Sequence, residues 1–412
     1  MRTRCWKAEG AWGRWLFVGD RSTCPVRVSG YLCNVPLLNP LRTLAFADWR
    51  LGLDRPLLIA GPCSAESEEQ VLGTARAIAD GIPQVKVFRA GVWKPRTRPG
   101  GFEGAGDAAL AWLKRVKAET GLLTMTEVAV PAHVEAALAA GIDMLWIGAR
   151  TTPNPFSVQA IADALHGTDI PVFVKNPINP DTQLWVGAIE RLADAGITRL
   201  AAVHRGFSWF ERTPYRNSPM WEFPIRLKAT FPQLELICDP SHIAGHPDRL
   251  AEIAQQALDL NFSGLMIETH CDPARACSDA QQQIRPAVLR TLLQGLVERA
   301  PRPGPDALEG LHELRDLIDQ LDEEIAQKLA SRMDIAERIG EFKLAHNVAI
   351  LQPERWDHIL RRQTALGGRI GLDPGFVRAF MNAIHEESIR RQTAVWERVP
   401  ESSEDPAMKT RT

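Results

Sequence analysis

Short apolar runs alternate with amphipathic stretches along most of the chain, starting at residue 57. The runs are rich in β-branched residues and recur roughly every 25 to 35 residues, each followed by a turn or a polar motif. Nearly continuous apolar strands are typical of a parallel sheet that is covered on both faces. The pattern predicts eight strands, at 57–61, 85–90, 122–128, 144–149, 172–176, 199–204, 234–239 and 265–270.

Helical stretches rich in Ala and Leu lie between these strands, for example at 107–120, 131–141 and 246–260. Eight strand–helix units within roughly 240 residues fit the usual size of a closed parallel barrel. We therefore predict an α/β fold with a (β/α)8 TIM barrel, and an open doubly wound sheet is the alternative. In such a barrel the chemistry lies at the carboxyl ends of the strands.

The composition changes near residue 298. A segment rich in Pro and Gly interrupts any continuous helix there and is predicted to be a linker. Three helical segments follow, at about 306–345, 353–366 and 373–398, and the last two have Pro in their first turn. The predicted division is an unassigned extension (1–50), a barrel (51–297), a linker (298–306), an all-α three-helix domain (307–398) and a tail (399–412).

Bulk properties exclude several classes of function. The 412 residues carry a formal charge of −2, so no global charge favours nucleic acid or a membrane surface. The seven cysteines lack the spacing of a disulfide framework, which predicts a reducing, cytoplasmic location. No apolar run approaches the roughly 18 residues that span a bilayer. The first 24 residues lack the apolar core of a signal peptide, and we expect them to have no folded role, while the role of residues 1–50 as a whole is left open.

Basic residues follow most of the predicted strands. They would converge on one end of the barrel: Arg89, Lys94, Arg96, Arg150, Lys175 and Arg205. Cations at one barrel mouth repel each other unless anions lie between them. Guanidinium and ammonium groups bind phosphate and carboxylate, so the pattern predicts one or two substrates that carry phosphate.

A thiol, an imidazole and carboxylates follow other strands. Together they offer sulfur, nitrogen and oxygen ligands: Cys63, His242, Glu268 and Asp279. This mixed set suits a divalent transition ion such as Mn²⁺, Fe²⁺, Co²⁺ or Zn²⁺ better than Mg²⁺. We therefore predict a metal site, with Asp239 nearby and with His204 and His270 as alternative ligands.

Seven motifs occur in order at these strand ends: GPCSAES, KPRT, IGAR, FVKNP, RGF, DPSH and MIETHCDP. Over about residues 55–297 the chain resembles the 3-deoxy-D-arabino-heptulosonate 7-phosphate (DAHP) synthases of the class I beta type. The resemblance implies a transferase that condenses phosphoenolpyruvate with erythrose 4-phosphate at a divalent metal and releases phosphate. The related octulosonate-phosphate synthases resemble the chain less, because they typically read Ala-Asn-Arg-Ser in place of KPRT.

The resemblance also implies roles for individual residues. The implied metal ligands are Cys63, His242, Glu268 and Asp279, with Mn²⁺ as the expected ion. The implied phosphoenolpyruvate contacts are Arg89, Lys94, Arg150, Lys175 and Arg205, and Arg96 and Thr97 would contact the aldose phosphate. Catalytic roles fall to Lys94, Cys63 and His242. The sequence departs from the family pattern at His204: the residue before the arginine, here Arg205, is more usually an acid.

The first C-terminal helix carries an apolar stripe formed by Leu311, Leu314, Ile318, Leu321, Ile325, Ala336 and Ile339. Arg332 and Lys343 fall on the same stripe, and two cations on an apolar face favour an anion site there. The helix has about 38 residues and is roughly 57 Å long, which exceeds what a domain of this size can cover. We therefore predict a homo-oligomer, at least a dimer through this domain.

Residues 307–396 resemble the all-helical type II chorismate mutases, through LRDLIDQLDEEI, LASRMDIAERIGEFK, ILQPERW and EESIRRQ. The resemblance implies an isomerase that rearranges chorismate to prephenate without a cofactor. The implied substrate contacts are Arg315 from the partner chain and Arg332, Lys343, Gln352, Arg355, Ser388 and Gln392. Of these, Arg332, Lys343 and Gln392 would be catalytic. Gln352 stands where Asp is frequent, and Trp356 stands where the family often has Glu.

The two resemblances together predict a bifunctional enzyme of the shikimate pathway and of aromatic amino-acid biosynthesis. Its small-molecule partners would be phosphoenolpyruvate, erythrose 4-phosphate and chorismate or prephenate, with no nucleic acid and no membrane. The helical domain could also sense chorismate or prephenate and inhibit the barrel. The alternative is a helical domain that dimerises and binds ligand without catalysis.

Overall fold

The computed structural model describes residues 41–94, 100–210, 213–300 and 304–398, with the side chains of 305–307 left out. The chain divides between Arg299 and Ala300 into two compact units. We call them the barrel unit and the helical unit, and each is described by itself.

Eight parallel strands form the centre of the barrel unit. They close in sequence order, with the last strand paired to the first. This confirms the predicted (β/α)8 barrel over the open-sheet alternative. The strands are β1 (Leu57–Gly61), β2 (Val85–Arg89), β3 (Leu123–Val128), β4 (Met144–Ile147), β5 (Val172–Lys175), β6 (Leu200–His204), β7 (Glu235–Cys238) and β8 (Gly264–Glu268).

Helices surround this barrel. Local sequence signals explain where several begin: Ser67 and Asp181 accept a hydrogen bond from a backbone amide in the first helical turn, and Pro131 stands at a first helical position. The helices are α1 (Glu68–Gly81), α2 (Ala108–Thr120), α3 (Pro131–Ala139), α4 (Pro155–Leu165), α5 (Thr182–Asp194), α6 (Glu222–Thr230), α7 (Pro240–Ala244), α8 (Leu250–Asp259) and α9 (Pro286–Gly295).

Strand side chains alternate between two apolar layers. In β1, Leu57 and Ile59 belong to the core inside the barrel, whereas Leu58 and Ala60 belong to the core between strands and helices. Both faces of every strand are therefore covered, which is why the strands are apolar almost throughout. With both layers filled, the polar groups that do chemistry lie at the strand ends.

A short 3-10 helix, Phe46–Trp49, packs at the amino ends of the strands. Both of its aromatic end residues are buried in the core inside the barrel, and the Trp49 ring lies 5.6 Å from that of Phe173. The Phe46 amide donates to the buried carboxylate of Glu235, which also pairs with Arg55. Residues 1–50 were left unassigned, and this packing shows that the fold begins at least at Phe46. Residues 1–40 of that extension lie outside the described residues.

Three helices form the helical unit: α10 (Pro305–Ala345), α11 (Pro353–Arg369) and α12 (Pro374–Glu397). This confirms the predicted all-α region. The first begins inside the segment 298–306 that was predicted as a linker. The small core of this unit is formed by Met333, Val377, Met381 and Ile384. None of the helices in the described ranges is long and apolar enough to cross a bilayer.

Two glycines offer a matched test of the barrel packing. A Cβ on Gly61 would lie 2.1 Å from the Arg89 carbonyl oxygen, and the backbone there has a φ of 144°. We expect Gly61→Ala to destabilise the barrel by about 3 kcal/mol, through overpacking and backbone strain. A Cβ on Gly73, inside α1, would meet no atom within 4 Å. Gly73→Ala should stabilise the protein by about 0.5–1 kcal/mol.

Urea unfolding followed by circular dichroism measures both changes. A Gly61→Ala midpoint equal to that of the parent would contradict the close approach of β1 and β2 at this position.

Candidate active sites

A cavity of about 370 Å³ opens at the carboxyl ends of the barrel strands. Its wall combines the ends of β3 and β5 with the loops that follow β2, β4, β6, β7 and β8. The charged residues that line it are Lys94, Glu127, Arg150, Lys175, Arg205, Arg216, His242 and Asp279. The barrel therefore brings cations and potential metal ligands from distant parts of the sequence to one opening.

Cys63, Glu268 and Asp279 form a compact cluster beside this cavity. Each offers one ligand atom, and these atoms lie within 4.8 Å of one another. The Cys63 Sγ is 3.4 Å from the Asp279 Oδ2. The fourth predicted ligand, His242, stands at the edge of the cluster, with its Nε2 3.8 Å from the Glu268 Oε1.

The chemistry of this cluster fits a divalent cation. Glu268 is fully buried, and its Oε1 makes no hydrogen bond with any described residue. Burial and the neighbouring Glu268 raise the pKa of the Cys63 thiol to about 12. A cation between the thiol and the two carboxylates would reverse this effect and favour the thiolate. Sulfur and carboxylate ligands in one buried cluster are an arrangement that transition ions accept.

His242 is held in a form that can bind metal. Burial lowers the pKa of His242, so its ring is neutral and one nitrogen carries a free lone pair. Asp239 caps α7 by accepting the His242 amide, and its Oδ2 lies 2.8 Å from the His242 Nδ1. A carboxylate at one ring nitrogen directs the other towards a metal, as is common for ligating histidines.

Arg89 and Lys175 lie deepest among the predicted cations. The Arg89 Nη2 donates to the Cys63 carbonyl at 3.1 Å and is 3.3 Å from the Glu268 Oε1. The Lys175 Nζ lies 2.8 Å from the Asp239 Oδ2. Both cations approach the face of the Trp146 ring, at 4.7 and 5.8 Å from its centroid. Each buried cation thus has a carboxylate and an aromatic face beside it.

The other predicted cations lie nearer the cavity opening. The Lys94 Nζ is 3.7 Å from the Glu127 Oε2, and Arg150 is exposed on the wall. Burial lowers the pKa of Arg205 to about 10, which still leaves it charged at neutral pH. Its Nη1 donates to the Asn217 Oδ1 at 2.8 Å. Arg96 and Thr97, predicted to contact the aldose phosphate, lie outside the described residues.

The two alternative histidine ligands point elsewhere. His204 is fully buried among the rings of Trp185, Phe207, Trp221 and Phe262, and burial lowers its pKa to about 3. His270 lies beside Glu66, with 3.6 Å between its Nε2 and the Glu66 Oε2.

Three polar residues around the cluster were not predicted: Arg216, Asn217 and Gln282. Arg216 and Asn217 lie in the loop after β6, and Gln282 lies in the loop after β8. Asn217 joins Arg205 to α7, because its Nδ2 donates to the His242 carbonyl at 2.6 Å. The only feature of the sequence that could have indicated a role for them is their position in loops at the carboxyl ends of strands.

In the helical unit, cations and polar groups meet where α10 crosses α12. The Arg332 Nη1 donates to the Ser388 Oγ at 2.5 Å, and the Gln392 Nε2 donates to the Ser388 carbonyl at 3.2 Å. The Gln392 Oε1 is buried without a partner among the described residues. Burial and the charges of Arg332 and Lys343 lower the pKa of His385, so both cations lie near its ring. That ring stacks on Trp356 at 4.0 Å.

Lys343 also lines an open cavity of about 580 Å³ together with Gln352. Its Nζ donates to the Ile350 carbonyl at 2.6 Å. Arg355 and Arg315 are exposed. Arg315 lies about 26 Å along α10 from Arg332, at 1.5 Å per residue, so the two cannot contact one small ligand within a single chain.

Comparisons with known proteins match both units. A family model described as "DAHP synthetase I family" matches residues 40–302, and one described as "Chorismate mutase type II" matches residues 314–393. Phospho-2-dehydro-3-deoxyheptonate aldolase from Thermotoga maritima is 29% identical over 257 residues, which are 62% of this chain and 73% of that protein. 2-Dehydro-3-deoxyphosphooctonate aldolase from Polaromonas naphthalenivorans is 29% identical over 276 residues, 60% of this chain and 92% of that protein.

A solved structure supports the same relationship. The crystal structure of the DAHP synthase from Thermotoga maritima matches with a TM-score of 0.52 at 26% identity, over 58% of this chain and 67% of that chain. The matched family model spans more than half of the residues and includes every strand of the barrel. The chain therefore belongs to the DAHP synthetase I family and carries a chorismate mutase type II domain after its barrel.

Proposed function

We propose that the barrel unit condenses phosphoenolpyruvate with erythrose 4-phosphate at a divalent metal ion, Mn²⁺ first among the candidates. We propose in addition that the helical unit rearranges chorismate to prephenate. The observation that carries the first activity is the Cys63–Glu268–Asp279 cluster, which adjoins a cavity lined by cations. The predicted domain bounds 51–297 and 307–398 become 46–297 and 305–398 in our proposal, because the 3-10 helix Phe46–Trp49 packs into the barrel core and α10 begins at Pro305. A reducing cytoplasm would keep the Cys63 thiol available.

The barrel residues would hold two anionic substrates together. Arg150, Lys175 and Arg205 provide positive charge for the phosphate and carboxylate of phosphoenolpyruvate. When bound, the metal ion acts as a Lewis acid that polarises the aldehyde carbonyl. Lys94, whose Nζ lies 3.7 Å from the Glu127 Oε2, would donate a proton to the aldehyde oxygen as C3 of phosphoenolpyruvate forms the new carbon–carbon bond. Water would then add to C2, and the bond from C2 to the phosphate oxygen would break as inorganic phosphate leaves. The protein thus contributes mainly positioning and fixed charge.

A direct assay of the barrel tests both the metal and the sugar phosphate. Chelation should abolish phosphate release from phosphoenolpyruvate and erythrose 4-phosphate, and Mn²⁺ should restore it, because the aldehyde is activated by the ion that the ligand cluster holds. Prephenate formation should not change. Cys63→Ser should lower phosphate release by at least about tenfold, since a hydroxyl is a poorer ligand than a thiolate.

Arabinose 5-phosphate is the matched control substrate, because the relatives include octulosonate-phosphate aldolases. Faster phosphate release with arabinose 5-phosphate than with erythrose 4-phosphate would overturn the proposed substrate, and activity that survives chelation would overturn the metal site.

The helical site would work without a cofactor. Chorismate carries two carboxylates and an ether oxygen, so cations that hold it in a compact pose can lower the barrier to rearrangement. Arg332 and Lys343 offer two positive charges on α10, and Gln392 offers a buried amide on α12. Arg332 and Gln392 both donate to Ser388. Partly buried cations of this kind distinguish the site from a purely structural helix interface, where Leu or Ile would be preferred.

A second copy of the chain is proposed to complete this site. The first part of α10 exposes a row of large apolar side chains, each 49–61% exposed: Leu314, Leu317, Ile318, Leu321 and Ile325. An apolar stripe of this length is typical of an interface between helices. Arg315 lies on the same part of the helix, so dimerisation would bring it to the site of the partner chain.

Mixing two inactive variants tests catalysis and dimerisation together. Lys343→Ala and Arg315→Ala should each reduce prephenate formation by about 100-fold or more, because each removes a cation that holds the substrate. Co-refolded heterodimers should recover part of the activity, since one of their two sites would have both cations.

Arg361→Ala is the matched control, because Arg361 is an exposed helical arginine that, within the described part of the chain, forms an ion pair with Asp357 one turn earlier in the same helix. Parental rates in Lys343→Ala would support the alternative of a non-catalytic ligand-sensing module, and mixed chains without recovery would refute the shared site.

The fusion of the two activities motivates a feedback proposal, in which prephenate bound to the helical unit inhibits the barrel. Such linkage requires prephenate to bind two states of the enzyme with different affinity. We expect prephenate to slow phosphate release in the parent and to lose that effect in Lys343→Ala, where the ligand binds weakly. A synthase rate that does not change with prephenate in the parent would refute the feedback.

A further inference from the structure

Two residues outside the predicted metal ligands connect the two carboxylates of the cluster. The Arg216 Nη1 donates to the Asp279 Oδ1 at 3.0 Å and also to the Gln282 Oε1. The Gln282 Nε2 in turn donates to the Glu268 Oε2 at 2.6 Å. A continuous chain of hydrogen bonds therefore runs from Asp279 through Arg216 and Gln282 to Glu268.

The direction of this chain is fixed by chemistry. A guanidinium group only donates hydrogen bonds, so the amide oxygen of Gln282 must face Arg216. Its amide nitrogen then faces Glu268 and occupies Oε2. The other oxygen, Oε1, has no hydrogen bond within the described residues; it lies 3.3 Å from the Arg89 Nη2 and 3.8 Å from the Nε2 of the predicted ligand His242, so it is the Glu268 atom that a cation can bind.

Arg216 is itself held in place by the backbone. Its amide donates to the Ala244 carbonyl at 3.3 Å, at the end of α7, the helix that carries His242. Gly245 follows with a φ of 70°, and a Cβ on it would lie 2.4 Å from the Arg216 Cβ. The close packing over a glycine leaves the side chain little freedom, even though it is 45% exposed.

We propose that Arg216 and Gln282 are positioning residues for metal binding, which orient the Asp279 and Glu268 carboxylates towards one ion. This inference rests on the proposed metal site. Partners of this kind around metal ligands typically change affinity by roughly 10- to 100-fold. Gln282 is 1% exposed, so its loss would leave a buried carboxylate oxygen without a donor.

Arg216 has two opposing effects on metal binding, repulsion of the cation and orientation of the carboxylates. Arg216 is a cation near the cluster, and by Coulomb repulsion alone its removal would strengthen metal binding. If orientation dominates instead, its removal weakens metal binding. Gln282 is neutral, so its removal changes orientation without changing charge. The two variants therefore separate positioning from electrostatics.

Titration of the metal-free full-length enzyme with Co²⁺ measures affinity without catalysis, through the absorption band of a Cys63 thiolate bound to Co²⁺. We expect Gln282→Met and Arg216→Met each to weaken Co²⁺ binding roughly 10- to 100-fold. The Co²⁺ affinity of the double variant should lie within about threefold of that of the single variant with the weaker binding. Each substitution breaks the same chain of hydrogen bonds, so the second adds little to the first. Gln281→Met, at the exposed neighbouring position, is the matched control and should bind as the parent does.

Several outcomes would overturn the proposal: either single variant binding Co²⁺ within about twofold of the parent, tighter binding by Arg216→Met, or losses that multiply in the double variant. If Gln282→Met fails to fold by circular dichroism, Gln282→Asn serves instead, because it keeps the amide but is too short to reach both partners. A parent enzyme that shows no thiolate band refutes the proposed metal site, whereas variants that bind Co²⁺ with the affinity of the parent refute only the role of Arg216 and Gln282.

Discussion

The mutual compensation of buried charges at one end of the barrel is the constraint on which the rest of the structure depends. Glu268, Asp239 and Arg89 are fully buried, and Lys175 is nearly so. Charges taken out of water are tolerated only when opposite charges and hydrogen bonds surround them. Here carboxylates and cations alternate in space, so the loss of any one would leave a neighbour uncompensated. One Glu268 oxygen, Oε1, lies 3.3 Å from the Arg89 guanidinium but makes no hydrogen bond with a described residue, so a metal cation would add to the compensation of its charge.

The closed barrel makes this arrangement possible. Its ligands and cations come from different strands, and only closure brings β1, β2 and β8 side by side. Neighbouring strand ends then come so close that small residues are required at particular positions. Gly148 is one of them, because a Cβ there would lie 2.0 Å from the Glu127 Oε1. Backbone packing therefore determines where Glu127 and, through it, Lys94 can stand in the cavity wall.

Sequence periodicity predicted the barrel because both faces of each strand are buried, which leaves long apolar runs. It also found Cys63, since a polar side chain directly after such a run falls at a strand end. The same reasoning could not find Arg216 or Gln282, because the loops that carry them have no period. Periodicity also did not decide whether His204 is a metal ligand. Its side chain points outward into the layer between strands and helices, and a shift of one residue along the strand would turn it inward instead.

The two units differ in how much of a site one chain supplies. In the barrel, every described member of the charged cluster belongs to the same closed sheet or to the segments that follow its strands, so a single copy supplies all of them. In the helical unit, the polar site lies where the second half of α10 crosses α12, and the first half of α10 exposes an apolar row. Exposed apolar area of this extent is stabilised by association. The proposed dimer would therefore bear directly on chemistry in the helical unit.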